Sequence, residues 1–155
     1  MGMESFTVGF VFDELDTDPI EALRKNFDIT DNTEKSVLDG EYFVIRVDGE
    51  DAIQIRFDQQ SPSQAELFLR FSYCCPVQID DIFLDVCRQL MEMGAVDSIQ
   101  GYIHPSLENG TDASKTLRSA IDYLRQLWFL QTRSELRMVI SPSRVWEEYI
   151  RLGLV

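Results

Sequence analysis

From Phe6 to Asp13, apolar and polar positions alternate: Phe6, Val8, Phe10 and Phe12 fall on one side, Thr7, Gly9 and Val11 on the other. Period two is the repeat of a strand, whose successive side chains point to opposite faces. Asp18-Pro19-Ile20-Glu21 follows. It offers a carboxylate to cap, a proline to open and an acid at the third helical position, the grammar of a helix start. Ile20, Leu23 and Phe27 then recur at helical spacing, which predicts a short helix. Residues 28–40 are polar and acidic and read as a loop. Three further period-two segments succeed one another. Phe43, Ile45 and Val47 alternate with Tyr42, Val44 and Arg46; Ile53, Ile55 and Phe57 with Gln54, Arg56 and Asp58; Leu67, Leu69, Phe71 and Tyr73 with Glu66, Phe68, Arg70 and Ser72. Asp48-Gly49-Glu50 and Ser61-Pro62-Ser63 separate them, and such short connections predict an antiparallel meander.

The period then lengthens. Ile79, Ile82, Phe83, Val86, Cys87, Leu90 and Met91 form one stripe over about 78–93, with Asp80, Asp81 and Asp85 toward its N-terminal half and Gly94 as the stop. This is an amphipathic helix with acids where its dipole favours them. A strand is expected at about 96–103 and a turn at 105–111. A second long helix is expected at about 112–131, burying Leu117, Ala120, Ile121, Leu124, Leu127 and Trp128. Residues 136–140 read as a short buried strand. Ser141-Pro142 opens a last helix carrying Val145, Trp146, Tyr149 and Ile150, which Gly153 ends. The order β-α-β-β-β-α-β-α-β-α predicts an α+β fold: one mainly antiparallel sheet with a three-stranded meander, packed against helices as a single domain over 1–155.

Composition narrows the class without naming a function. Ten Phe, five Tyr and two Trp in a chain that is 45% hydrophobic argue for a true core and against disorder. No apolar run approaches the roughly 18 residues of a membrane span. The start, Met1 to Phe6, lacks the basic residues and apolar stretch of a signal peptide, and position 6 is Phe where a myristoylation motif after Gly2 needs Ser or Thr. Three cysteines, at 74, 75 and 87, make no disulfide framework and suit a reducing compartment. A cytoplasmic location is expected.

Charge changes the picture most. The chain holds 27 acids against 14 bases, a net of −13, and residues 1–58 alone carry 15 acids and 5 bases, a net of −10. Residues 115–155 lean the other way, with 4 acids and 7 bases. Such a field repels DNA, RNA and anionic lipid and attracts basic proteins, although acidity also serves plain solubility.

Candidate chemistry is sparse. Asp13, Glu14, Asp16 and Asp18 could offer oxygen ligands to Mg²⁺ or Ca²⁺, but the glycine and terminal Glu of an EF-hand are missing, and Asp18 already serves as a cap. His104, the only histidine, could pair with Cys74 or Cys75 as base and nucleophile, though no spacing specifies it. Phosphate-cradling, nucleophile-elbow and zinc-protease motifs are absent. No cofactor or metal is expected. Arg46, Arg56 and Arg70 share the outer face of the meander with Tyr42 and Phe68, the composition of protein-binding hot spots.

These features point first to an acidic module that docks on and neutralises a basic protein partner; an immunity protein inhibiting a toxin is one concrete form. The expected contacts are Asp13, Glu14, Asp16, Asp31, Glu34, Asp39, Asp48, Glu50 and Asp51, with Arg46, Arg56 and Arg70 on the sheet. One alternative is a homodimer resembling a secretion chaperone in physical type; the extra N-terminal strand and the helix between the last two strands count against it. Another is an enzyme using His104 or the Asp13/Asp16 cluster.

Overall fold

A computed structural model describes residues 4–32, 40–98, 113–132 and 137–153. Strand β1 (Ser5–Phe12) is followed by helix α1 (Pro19–Arg24), strands β2 (Asp28–Asp31), β3 (Glu41–Val47), β4 (Glu50–Gln59) and β5 (Ala65–Ser72), and helix α2 (Val77–Glu92). Strand β6 (Val96–Ser98), helix α3 (Ala113–Thr132), a 3-10 turn (Pro142–Arg144) and helix α4 (Val145–Arg151) complete the described chain. Every described strand pairing is antiparallel, and the sheet order is β2-β3-β4-β5-β1-β6. The α+β class and the meander β3-β4-β5 are as the alternation predicted. With β1 against β5, the chain's first strand lies inside the sheet.

The local signals that the sequence offers are used. Asp18 accepts a hydrogen bond from the Ile20 amide at 2.9 Å and Pro19 occupies the first turn of α1. Val47 pairs with Glu50 across a two-residue loop in which Asp48 and Gly49 both have positive φ, 53° and 79°. That is the type I′ hairpin turn, for which Asp-Gly is suited. At the end of α2, Gly94 has φ 92°, its amide reaches the Met91 carbonyl and the Ala95 amide reaches Leu90. This double bond pattern closes the helix as a Schellman cap.

One sheet face carries the core. Phe6, Val8, Phe10, Phe12, Ile53, Ile55, Leu67, Leu69 and Phe71 are buried there, against Ile79, Phe83, Val86 and Leu90 of α2. Phe83 sits 5.8 Å edge-on from Phe6 and 4.6 Å from Phe71. Phe83→Ala should therefore cost about 3–5 kcal/mol of stability. Leu124, only half-buried on α3, should cost less when cut to Ala. Urea unfolding of the two variants checks the order; equal losses would contradict this packing.

Several expectations are corrected. Residues 28–31 of the supposed loop form β2, an edge strand whose short length and exposed Asp28 and Asp31 suit an unpaired edge. Residues 137–140 are not a strand; Met138 donates to the Cys74 carbonyl at 2.9 Å, and no ladder continues. On α3, Leu127 is 37% exposed, whereas Arg125 is buried. On α4, Val145 and Tyr149 are buried while Trp146 and Ile150 face outward. Residues 99–112, including His104, and residues 33–39 and 133–136 lie outside the described residues, as does the remainder of the strand expected at 96–103.

Arg125 reaches Asp80 with both terminal nitrogens, one to each carboxylate oxygen, and its Nε donates to the Tyr73 carbonyl at 3.4 Å. The guanidinium lies 6.0 Å from the Phe71 ring centre. Both side chains are buried, at 6% and 1% exposure. The pair ties α3 to the first turn of α2.

Candidate functional site

The acidic residues expected to form one docking surface lie at two ends of the sheet. Asp13, Glu14 and Asp16 follow β1, beside the β4–β5 turn, where the Leu15 amide donates to the Ser63 carbonyl at 2.8 Å. Asp48, Glu50 and Asp51 sit at the β3–β4 turn, the other end of the ten-residue β4. Ten strand residues span roughly 30 Å, several times the Debye length of about 8 Å at physiological salt. The two clusters therefore act as separate near fields. Asp31, 84% exposed, lies on edge strand β2, 3.7 Å from Arg24. Glu34 and Asp39 fall outside the described residues.

The three arginines on the outer sheet face are engaged at home. Arg70 donates to Glu4 Oε1 and to Ser5 Oγ, both at 2.8 Å, and holds Glu4, itself only 6% exposed. Arg56 lies 5.2 Å from the Phe68 ring centre and 3.8 Å from Asp58. Arg46 donates to the Gly49 carbonyl and stands 3.3 Å from Asp51. A register shift after Ile45 makes that last pair possible: Ile45 faces Ile53 but Arg46 faces Asp51, with Ala52 as the extra residue. Without the bulge, strict alternation would have put Asp51 on the face of Ile53. Part of this outer face is covered. Gln54 donates to Ser143 Oγ at 3.1 Å, which sets the 3-10 turn against β4, and Val44 is buried.

Beside the hairpin turn, a cleft of about 540 Å³ opens toward the C-terminal segment. From the hairpin it is lined by Arg46, Gly49, Glu50 and Asp51, and from the other side by Arg144, Glu148 and Arg151. Met138, Val139 and Ile140 supply its apolar lining. Arg151 grips Glu148 Oε2 through Nε at 2.9 Å and Nη2 at 2.7 Å. That grip, with the positive field of Arg144 beside it, holds the Glu148 carboxyl below the usual range. Asp48, Glu50 and Arg144 have no ion-pair partner within 4 Å among the described residues. Sequence reasoning found the hairpin side but not the C-terminal side, because residues some 90 positions away in the chain meet it only through the fold.

The cysteines have a different character. Cys74, Cys75 and Cys87 are all buried. Cys74 shares a hydrogen bond of 3.2 Å with the Tyr149 hydroxyl, and Cys75 donates to the Ile140 carbonyl at 3.4 Å. Burial pushes both thiols up, Cys75 to about 11, and pushes the Tyr73 phenol up as well. Thiols held protonated are poor nucleophiles at neutral pH. Each of these groups keeps its proton to higher pH when folded than when unfolded, so each favours the folded state at lower pH. For Cys75 the contribution is complete below about pH 9 and drains as pH rises toward 11, and that of Tyr73 is lost at higher pH still. The melting temperature should fall between pH 8 and about pH 10.5; an unchanged value would mean these groups are not so buried.

Among the described residues, no three His, Cys, Asp or Glu side chains converge as metal ligands, and no helix is long and apolar enough to cross a membrane. Compared with known proteins, the chain matches no protein-family model, no curated protein and no solved structure.

Proposed function

We propose that the protein is an acidic binding module that docks on a basic protein partner through the β3–β4 hairpin end. The observation that carries this reading is the pair of exposed acids Asp48 and Glu50, without counter-ions among the described residues, in and just after a two-residue turn beside a cleft. A tight I′ turn on a central strand pair holds charge at a fixed place with little entropy left to lose. Such charge speeds encounter and fixes orientation rather than adding bulk affinity. The module needs no chemistry, cofactor or nucleic acid of its own. Neutralising a toxin, as a cytoplasmic immunity protein does, is the concrete form this role would take.

The test is the association of the chain with the basic protein that co-purifies with it from its host. Raising ionic strength should slow association much more than it speeds dissociation, because screening acts on the long-range field. An acidic partner, or an association rate indifferent to salt, would sink the reading.

One observation favours the chaperone-like homodimer instead. Tyr123, Leu127 and Leu130 are exposed at helical spacing along α3, and Trp146 and Ile150 along α4. Sedimentation separates the two readings: a salt-insensitive dimer belongs to the second.

A further inference from the structure

Helix α3 is apolar on two sides. Leu117, Ile121 and Trp128 are buried, and across the helix Tyr123, Leu127 and Leu130 are 45%, 37% and 75% exposed. With the exposed Ser119 and Gln126, these three fall within about 100° of the helix circumference. A surface helix ordinarily sets charged and polar groups opposite its buried face. The charges of α3 are used elsewhere. Arg118 pairs with Asp81 and Arg125 with Asp80, both on α2, and the exposed Asp122 falls outside the sector. Among the side chains described on α3, no charge lies within it. A face both apolar and uncharged stands out in a chain of net charge −13.

We infer that this stripe is the seam of a dimer, covered by the same stripe of a second copy of the chain. Charge chooses the occupant. A basic protein finds no carboxylate in the sector, and an anionic membrane is repelled by the chain's net charge. Two copies of the chain also repel each other. The uncharged stripe is where they can meet without setting acid against acid, and it lies within residues 115–155, which hold 7 bases against 4 acids. The stripe is also self-complementary. A twofold axis through its centre runs the two helices antiparallel, sets Leu127 beside Leu127 of the second copy, and lays each Tyr123 on the opposite Leu130. Residues 119–130 span roughly 18 Å of helix. That length suits the small end of the interface range, so a weak dimer dissociating at about 10–100 µM is expected. No α3 residue lines the cleft at the hairpin end, so the seam leaves that end open and the inference is independent of the docking reading.

Sedimentation velocity of the full chain, from about 5 to 500 µM, should show a monomer–dimer equilibrium. Raising salt from about 50 to 500 mM should tighten it, because screening removes the repulsion between acidic copies while an apolar seam has no ion pairs to lose. Docking on a basic protein weakens with salt, so failure of that reading and failure of this one are distinguishable. Leu127→Glu sets two carboxylates at the axis; it and the more exposed Leu130→Glu should each weaken the dimer about tenfold or more. Ile150→Glu, at an exposed position on α4, should not. An equimolar mixture of the Leu127→Glu and Leu127→Lys chains should pair again, as a seam shared by two copies about a twofold axis requires. Unchanged melting temperatures would show that the variants are folded. A chain that stays monomeric at every salt, a dimer that salt loosens, a dimer indifferent to both glutamate substitutions, or a mixture that fails to pair would overturn the inference. So would a monomer that holds neutral lipid vesicles or a different protein on this stripe.

Discussion

Asp80→Ala should destabilise the protein by about 3–5 kcal/mol, the largest loss expected from any single substitution of a charged residue here. Removing the carboxylate strands the Arg125 guanidinium in a site where it is only 6% exposed. Its remaining contacts, the Tyr73 carbonyl at 3.4 Å and the Phe71 ring, are too weak to replace a bidentate partner. The pair itself need not add net stability, because taking two charges out of water costs about as much as their attraction returns. Replacing both partners together, Asp80→Leu with Arg125→Met, should therefore recover much of what the single change loses. Denaturant unfolding of the two single variants and the double supplies the coupling energy. A double variant as unstable as the sum of the singles would show that the pair is not coupled as the structure has it.

Neutralising the acidic turn should slow association with a basic partner about tenfold at low salt, with a smaller effect on dissociation. Asp48→Asn, Glu50→Gln and Asp51→Asn together are the suitable set. Asn tolerates the left-handed backbone that Asp48 adopts at φ 53°, where most side chains are strained. All three positions are exposed, so the melting temperature should change little. The matching change at the far end of the sheet, Asp13, Glu14 and Asp16 to Asn, should affect association less, because roughly 30 Å separates the clusters and salt screens beyond about 8 Å. Stopped-flow association at two ionic strengths gives both numbers. If the far cluster matters more, the docking end has been misplaced. Arg70 is a poor probe of the sheet face, since Arg70→Ser would strand the buried Glu4; Arg56→Ser tests that face more cleanly.

Residues close together in sequence determined a good deal by themselves. Alternation placed β1, β3, β4 and β5, because a half-buried strand must show one apolar side whatever it packs against. Asp18-Pro19, Asp48-Gly49 and Gly94 fixed a helix start, a hairpin and a helix stop, since each meets a backbone demand satisfied within a few residues. The net charge and its bias toward residues 1–58 were likewise readable without a structure.

What only the tertiary structure decided involves partners distant along the chain. Asp80 and Arg125 each interrupt an apolar stripe at helical spacing, Asp80 between Ile79 and Phe83, Arg125 between Ile121 and Trp128. That coincidence was a legible hint, but a charge on a buried stripe is tolerable only when its counter-charge arrives from another helix. The β2 edge strand was hidden because four residues with two acids carry too little alternation to register. The bulge at Ala52 was hidden because a register shift belongs to a pair of strands and not to either one. The acidic half of the sequence became two separate ends because an antiparallel meander sends successive turns to opposite ends of the sheet. The cleft exists only because the C-terminal segment, tied to Cys74 and Cys75, brings Val139 and Arg144 beside a hairpin formed some 90 residues earlier.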